Sequence, residues 1–297
     1  MQTFTSGSYE VDFAKPAVCN ILIVGGGGGG GGDNAGGGGA GGVIFLEKVT
    51  VSGSVSIVAG RGGHGGETNK VGKNGEGSSF DSIVALGGGS GGAGDSGQEH
   101  LGLPGGSGGG GANERSGYFS GGSGLQPEQT GLAAGFGNAG GKSSISSHSG
   151  GAGGGGAGHV GHTNEGDRGG LGGAGISMVH AFGDEVGDSG YFGGGGGGGN
   201  QNSYSSSAPA AARGGGGVGG WEDGDKNNGL ASTGGGGGGT GYPQMSQGGA
   251  GGSGVVLIIC APKAKCNAGY SSDGVGCANI DECSGPAPAR ATVHVLT

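Results

Sequence analysis

Residues 25–42 of this chain contain fourteen glycines, interrupted only by Asp33, Asn34, Ala35 and Ala40. Each glycine costs a helix about 1 kcal/mol relative to alanine. A helix here would carry a penalty of about 14 kcal/mol, as large as the stability of a whole domain. The tract is therefore not helical. That removes a tempting nucleotide-binding reading, in which the apolar run 21–24 enters G-x-G-x-x-G and Glu47 follows. The dinucleotide fingerprint needs a helix N-terminus to hold the pyrophosphate, and eight consecutive glycines meet its spacing without it. The stretch GFGNAGGKSS at 135–144 fails as a phosphate loop for similar reasons. Phe136 stands where a glycine is required, and no helix can follow.

Such tracts recur along the chain, and glycine makes up 95 of its 297 residues. Collagen has that fraction too, but with a strict G-X-Y period and abundant proline; here there are 8 prolines and no fixed period. Glycines have no side chains to bury, so any order among them must come from the backbone. Each N–H and C=O that is enclosed must be paired. An extended chain of three residues per turn points these groups outward in all directions. Several such chains can bond side by side, provided no Cβ holds them apart. Ordering costs about 1–2 kcal/mol per residue, and more for glycine. A dense bond lattice and a framing set of strands must offset it together.

The strands are visible. SYEVDF alternates, with Tyr9, Val11 and Phe13 on one face. AVCNILIV, VIFLEKVTV and SVSIVAG follow, the last two separated by Ser52 and Gly53, and SSFDSIVALGG reads as one further strand ending in glycine. Residues 87–175 carry few apolar side chains. GISMVHAF and GYFGG add anchors before GSGVVLIIC ends the series. Almost no segment suits a helix. The expected fold is all-β: a small β-sandwich, pairing the first and last strands, that frames a bundle of polyglycine-II helices.

FTSGSYEVDFAKPAVCNILIVGGGGGG, VTVSGSVSIVAGRGGHGG, GEGSSFDSIVALGGGSGG and GGAGGSGVVLII, in this order over about residues 3–259, resemble the glycine-rich domains that contain polyglycine-II bundles. Such domains occur in phage tail-fibre adhesins, in marine viral and algal surface proteins and in anaplastic-lymphoma-kinase-type ectodomains. The resemblance implies the fold and leaves adhesion, signalling and scaffolding open.

Five cysteines are present. Cys19 lies in the second strand and Cys260 ends the last, so neighbouring strands would let them form a disulfide; the other reading is two buried thiols. CNAGYSSDGVGCANIDEC resembles the end of one epidermal-growth-factor-like module and the start of a calcium-binding one. That resemblance implies a Cys266–Cys277 disulfide. It also implies calcium ligation by the carboxylates of Asp281 and Glu282 and the carbonyl of Ile280. The match stops after Cys283, which is left unpaired or bonded to another chain. An oxidising, extracellular location is expected. The expected domains are a glycine-rich unit over 1–260, a module fragment over 261–283 and a tail over 284–297. ATVHVLT in the tail alternates like an edge strand, able to join a neighbouring subunit's sheet or to fray.

The net charge of −9, with 13 scattered Lys and Arg and one Trp, argues against nucleic acid. The run 255–260 is too short to span a membrane. His159, His162 and Asp167 could hold a metal, as could Glu222, Asp223 and Asp225, but polar turn tips explain both groups. No constellation of nucleophile, base and acid is present, so no enzymatic activity and no cofactor beyond calcium is expected. Tyr118, Phe119, Leu125, Phe136, Tyr191, Phe192, Tyr204, Trp221 and Tyr242 sit at tract turns. They either cap the bundle or form a contact surface; the contact set is taken as Tyr118, Phe119, Tyr191, Phe192, Trp221 and Tyr242. The function expected is a structural subunit of an extracellular filament or mastigoneme-like appendage, partnered by copies of itself. The alternative is an adhesin or receptor ectodomain binding a surface receptor or glycan through these turns.

Overall fold

The structure, a computed structural model, describes residues 1–94, 100–113, 119–126, 133–144, 150–201, 212–220, 227–241, 247–261, 270–272, 277–279 and 292–296. Its strands are β1 (Gln2–Thr5), β2 (Gly7–Val24), β3 (Val43–Ala59), β4 (Ser78–Phe80), β5 (Ile83–Ala85), β6 (Ala133–Phe136), β7 (Ile176–Ser177), β8 (Tyr191–Phe192), β9 (Val255–Cys260), β10 (Tyr270–Ser272), β11 (Cys277–Asn279) and β12 (Thr292–Leu296). One helical turn, α1 (Val179–Phe182), lies between β7 and β8. The fold is all-β. An 8-stranded antiparallel sheet runs β1-β9-β2-β3-β4-β5, with β12 added to β2 and β6 to β3.

β1, a strand not expected from the sequence, pairs with β9, Phe4 opposite Val256, whereas SYEVDF, the expected first strand, pairs with β3 and β12. SYEVDF and AVCNILIV, expected as two strands, are one long strand with a register shift between Phe13 and Ala17. Pro16 sits in that shift, where a missing N–H breaks no ladder bond. VIFLEKVTV and SVSIVAG likewise join as β3. SSFDSIVALGG is corrected the other way: it folds as the hairpin β4-β5, turning at Asp81 with φ +53°. Asp tolerates that left-handed conformation better than most residues.

Alternation along the strands builds two cores. Val11, Phe13, Cys19, Ile21 and Ile23 of β2 face one apolar cluster with Phe4, Ile57, Phe80, Val256 and Ile258. Leu22 and Val24 face a second, with Val43, Phe45, Met178, Phe182, Phe192, Val255 and Leu257. The runs 21–24, 43–46 and 255–258 are thus buried on both faces, which is why they are continuously apolar. In β3, Glu47 and Lys48 together oppose Asn20, whose Oδ1 accepts from the Lys48 N–H at 2.9 Å. This extra residue flips the parity, so that Ile44 and Leu46 but then Val51 and Val55 point into the first cluster.

The strands run directly into the glycine tracts. In 25–32, the N–H groups donate in rotation to three antiparallel neighbours. Gly25, Gly28 and Gly31 bond to Gly42, Gly39 and Gly36; Gly26, Gly29 and Gly32 to Glu76, Lys73 and Lys70; Gly27 and Gly30 to Gly252 and Gly249. The carbonyls accept from three parallel neighbours. Gly26 and Gly29 take Gly88 and Gly91, Gly27 and Gly30 take Gly63 and Gly66, and Gly28 and Gly31 take Gly237 and Thr240. All are 2.8–3.2 Å long. Partners that repeat every third residue are the signature of a threefold extended helix. None of Gly25 to Gly32 has a positive φ, so this helix is left-handed.

The tract is ringed by six segments: 36–42, 70–76, 248–252, 86–92, 61–67 and 234–240. Tracts 35–42, 105–113, 150–157 and 234–241 are ringed in the same way, giving a hexagonal bundle whose interior is backbone. Tract 86–94 has only five neighbours, and the side chain of Asn74 occupies the sixth place. Its Oδ1 accepts from the Ser90 N–H at 2.9 Å and its Nδ2 donates to Pro104 O at 3.2 Å. Replacing Asn74 by alanine would leave the N–H of buried Ser90 without this acceptor. The expected loss is about 1 kcal/mol in denaturant unfolding, with Asn74→Asp intermediate because it keeps an acceptor. Unchanged stability in Asn74→Ala would contradict this role.

Candidate interaction surfaces

On the outer tracts one residue in three points away from the bundle, and these positions carry the side chains. In 61–67 they are Arg61, His64 and Glu67; in 70–76 they are Lys70, Lys73 and Glu76, all exposed. The two tracts are antiparallel partners, with Glu76, Lys73 and Lys70 donating backbone N–H bonds to Arg61, His64 and Glu67. Charged residues of both signs therefore cover this flank.

The opposite flank is different. Tracts 100–104, 119–126, 137–143, 159–163 and 168–173 follow one another round it, as the bonds Gly102 to Ser120, Gly140 to Gly122, Gly161 to Ala139 and His162 to Leu171 show. Here the outward positions include Leu101 (51% exposed), Leu103, Leu125 (52%), Val160 (55%) and Leu171. A cleft lined by His162, Asn164, Glu165, Arg168 and Leu171 opens at one end of this flank. Apolar side chains are thus exposed on this flank, beside the exposed His159, His162 and Lys142.

Of the aromatic contact set, Phe192 is corrected. It is fully buried in the second cluster and belongs to the frame rather than to an outer surface. Tyr191 is half-buried beneath the Arg213 guanidinium, 4.8 Å from the ring centroid. Beside it, the Asp188 carboxylate accepts from the N–H groups of Gly214 and Gly215 at 2.8 and 3.3 Å. Phe119 is half-buried, its ring 4.5 Å from that of buried His100. Phe136 is half-buried against the second cluster, and Leu125 belongs to the apolar flank. Tyr118, Tyr204, Trp221 and Tyr242 lie outside the described residues. Sequence reasoning missed the charged flank and most of the apolar one, although RGGHGGE and KVGKNGE carry the period of three.

Cys19 and Cys260 stand opposite each other in the β2-β9 ladder and are joined by a disulfide. His159 and His162 are exposed on an outer tract. Among the described residues no three His, Cys, Asp or Glu gather where they could hold a metal ion. Glu222, Asp223, Asp225, Cys266, Cys283 and the expected calcium set Ile280, Asp281 and Glu282 lie outside the described residues, and of Cys277 only its place in β11 is described. Among the described residues no helix is long and apolar enough to cross a membrane.

The family model for a glycine-rich domain matches residues 3–261. No curated protein matches the chain.

Proposed function

We propose, from the premise that this chain belongs to the glycine-rich domain family, that it is a non-catalytic structural subunit of an extracellular filament or cell-surface appendage of the mastigoneme kind. The observation that carries this reading is the pairing of a backbone-bonded bundle with an exposed apolar flank. A lattice held by bonds in every lateral direction is stiff, and the exposed leucines and Val160 on it favour burial against a further molecule. The Cys19–Cys260 disulfide supports an oxidising compartment. The resemblance of 266–283 to epidermal-growth-factor-like modules points the same way, with calcium at Asp281, Glu282 and Ile280 as an accompanying feature. The partner is another copy of the chain.

The test is electron microscopy of the native material together with sedimentation of the purified protein. Repeating head-to-tail contacts are expected. Leu101 and Leu125 lie on adjacent outer tracts, and since each is already half-buried, covering the rest contributes about half of the 1.5–3 kcal/mol of a full burial. Leu101→Asp with Leu125→Asp is therefore expected to weaken self-association about a hundredfold. Discrete particles whose association ignores both substitutions would favour the second reading. In that reading the apolar flank serves an adhesin or receptor ectodomain that binds a surface partner.

A further inference from the structure

Strand β12 lies outside the span of the family domain, yet it completes that domain's sheet. Along one side β2 is paired with β3. Along the other, β9 covers Cys19–Val24 and β12 covers Ser8–Asp12, with Glu10 opposite His294 and Asp12 opposite Thr292. Both run antiparallel to β2, so β12 continues the line of β9. The Ala261 N–H still bonds to Val18 O, and the line then resumes at Thr292.

The gap along β2 between Val18 and Asp12 is about 20 Å, a distance that about six extended residues would bridge. In the sequence, residues 262–291 separate the two strands instead. The β10-β11 hairpin brings residues 270 and 279 side by side, and the stretches 262–269 and 280–291 that flank it can together reach about 70 Å. The connection therefore does not confine β12 to its own β2. Without β12, the backbone groups of Ser8–Asp12 would form an open sheet edge, which is the template that strand addition uses.

We propose that β12 is an exchangeable strand: in the assembled state it pairs with the Ser8–Asp12 edge of a second copy of this chain. This deepens the assembly reading above and rests on it. The acceptor edge and the donor strand lie on different parts of one chain. Exchange is then head-to-tail and propagates, unless two copies trade strands reciprocally and close. Every ladder bond given up within one chain is remade, with the same partners, between two. Assembly by this route therefore depends on protein concentration rather than on a new interface.

The experiment uses two full-length variants, Glu10→Cys and His294→Cys, mixed, refolded together and oxidised. Mass spectrometry then identifies peptides joining positions 10 and 294. That identification keeps the native cysteines from confusing the result. A link between the two variants is expected, rising with protein concentration. The chain carrying both substitutions is expected to close on itself at high dilution. Thr292→Pro with Leu296→Pro, opposite Asp12 and Ser8, removes two ladder donors from β12. It is expected to lower the yield of cross-chain link by about tenfold or more, with the bundle amides still protected from exchange. Particles that form without a 10–294 link between chains would overturn strand exchange and leave the assembly reading standing. A chain that stays monomeric at all concentrations, linked only within itself, would overturn both.

Discussion

Gly28→Ala is expected to destabilise the domain by about 5 kcal/mol, far more than adding one methyl group to an ordinary core. An added Cβ would come within 3.0 Å of both O and C of Gly89. The obstacle is backbone, so no rotamer change relieves it. Gly89 is itself tied to both sides, donating to Ser107 O at 2.9 Å and accepting from the Gly39 N–H at 2.7 Å. Moving tract 86–94 aside strains these bonds and those at every third residue along it. Overpacking costs about 1–3 kcal/mol, and a few broken backbone bonds add about 1 kcal/mol each. Gly53→Ala is the contrast. Gly53 has φ +74° and nothing within 4 Å of the added atom, so only about 1 kcal/mol of backbone strain is expected. Denaturant unfolding of both variants checks the difference. A Gly28→Ala domain within about 1 kcal/mol of the parent would mean that the tracts are not tightly bonded.

The same lattice explains what could be read from the sequence. Tyr9, Val11 and Phe13 alternate, and all three face the first cluster. The runs around Ile21, Ile44 and Val256 carry the doubly buried strands. The threefold extended conformation followed from the need to pair glycine's backbone groups. What was not legible is which tract lies beside which. Glycines carry no side-chain information about their neighbours, so hydrophobic pattern cannot rank one packing against another. The ranking comes from the strands, which launch the tracts in fixed order, and from rare side chains such as Asn74. The bulge at Lys48 was equally hidden, because a non-glycine residue at φ +51° leaves no sequence mark.

The outer surface is written in the sequence as a period of three. Arg61, His64 and Glu67 repeat at three, as do Lys70, Lys73 and Glu76, because the helix has three residues per turn. Aromatic size is a poorer guide to that surface, as buried Phe192 shows. In a chain with so little apolar area, a phenylalanine between glycines is needed for the frame. The exposed positions are held by the smaller Leu101, Leu125 and Val160.

Removing the Cys19–Cys260 bond, by reductant or by Cys19→Ala with Cys260→Ala, is expected to cost about 3–5 kcal/mol and to lower the melting temperature by about 10 °C. The bond closes a sequence separation of 241 residues. Chain-entropy arguments give about 5 kcal/mol for a loop of that length, as an upper figure. The glycines inside the loop raise the stakes, since they are the residues with most freedom to regain on unfolding. Strand pairing persists without the bond, because β2 and β9 share ladder bonds and Ile21, Ile23, Val256 and Ile258 pack together in the first cluster. The double variant is therefore expected to fold, with a lower midpoint and an unchanged β-rich spectrum. Amides of β9 should exchange faster before those of 25–32, whose partners lie on all sides. The reductant acts on every disulfide and the double variant on this one, so agreement between them assigns the loss to Cys19–Cys260. A melting temperature unmoved by either would place the closure of the domain in the β2-β9 ladder and its apolar contacts.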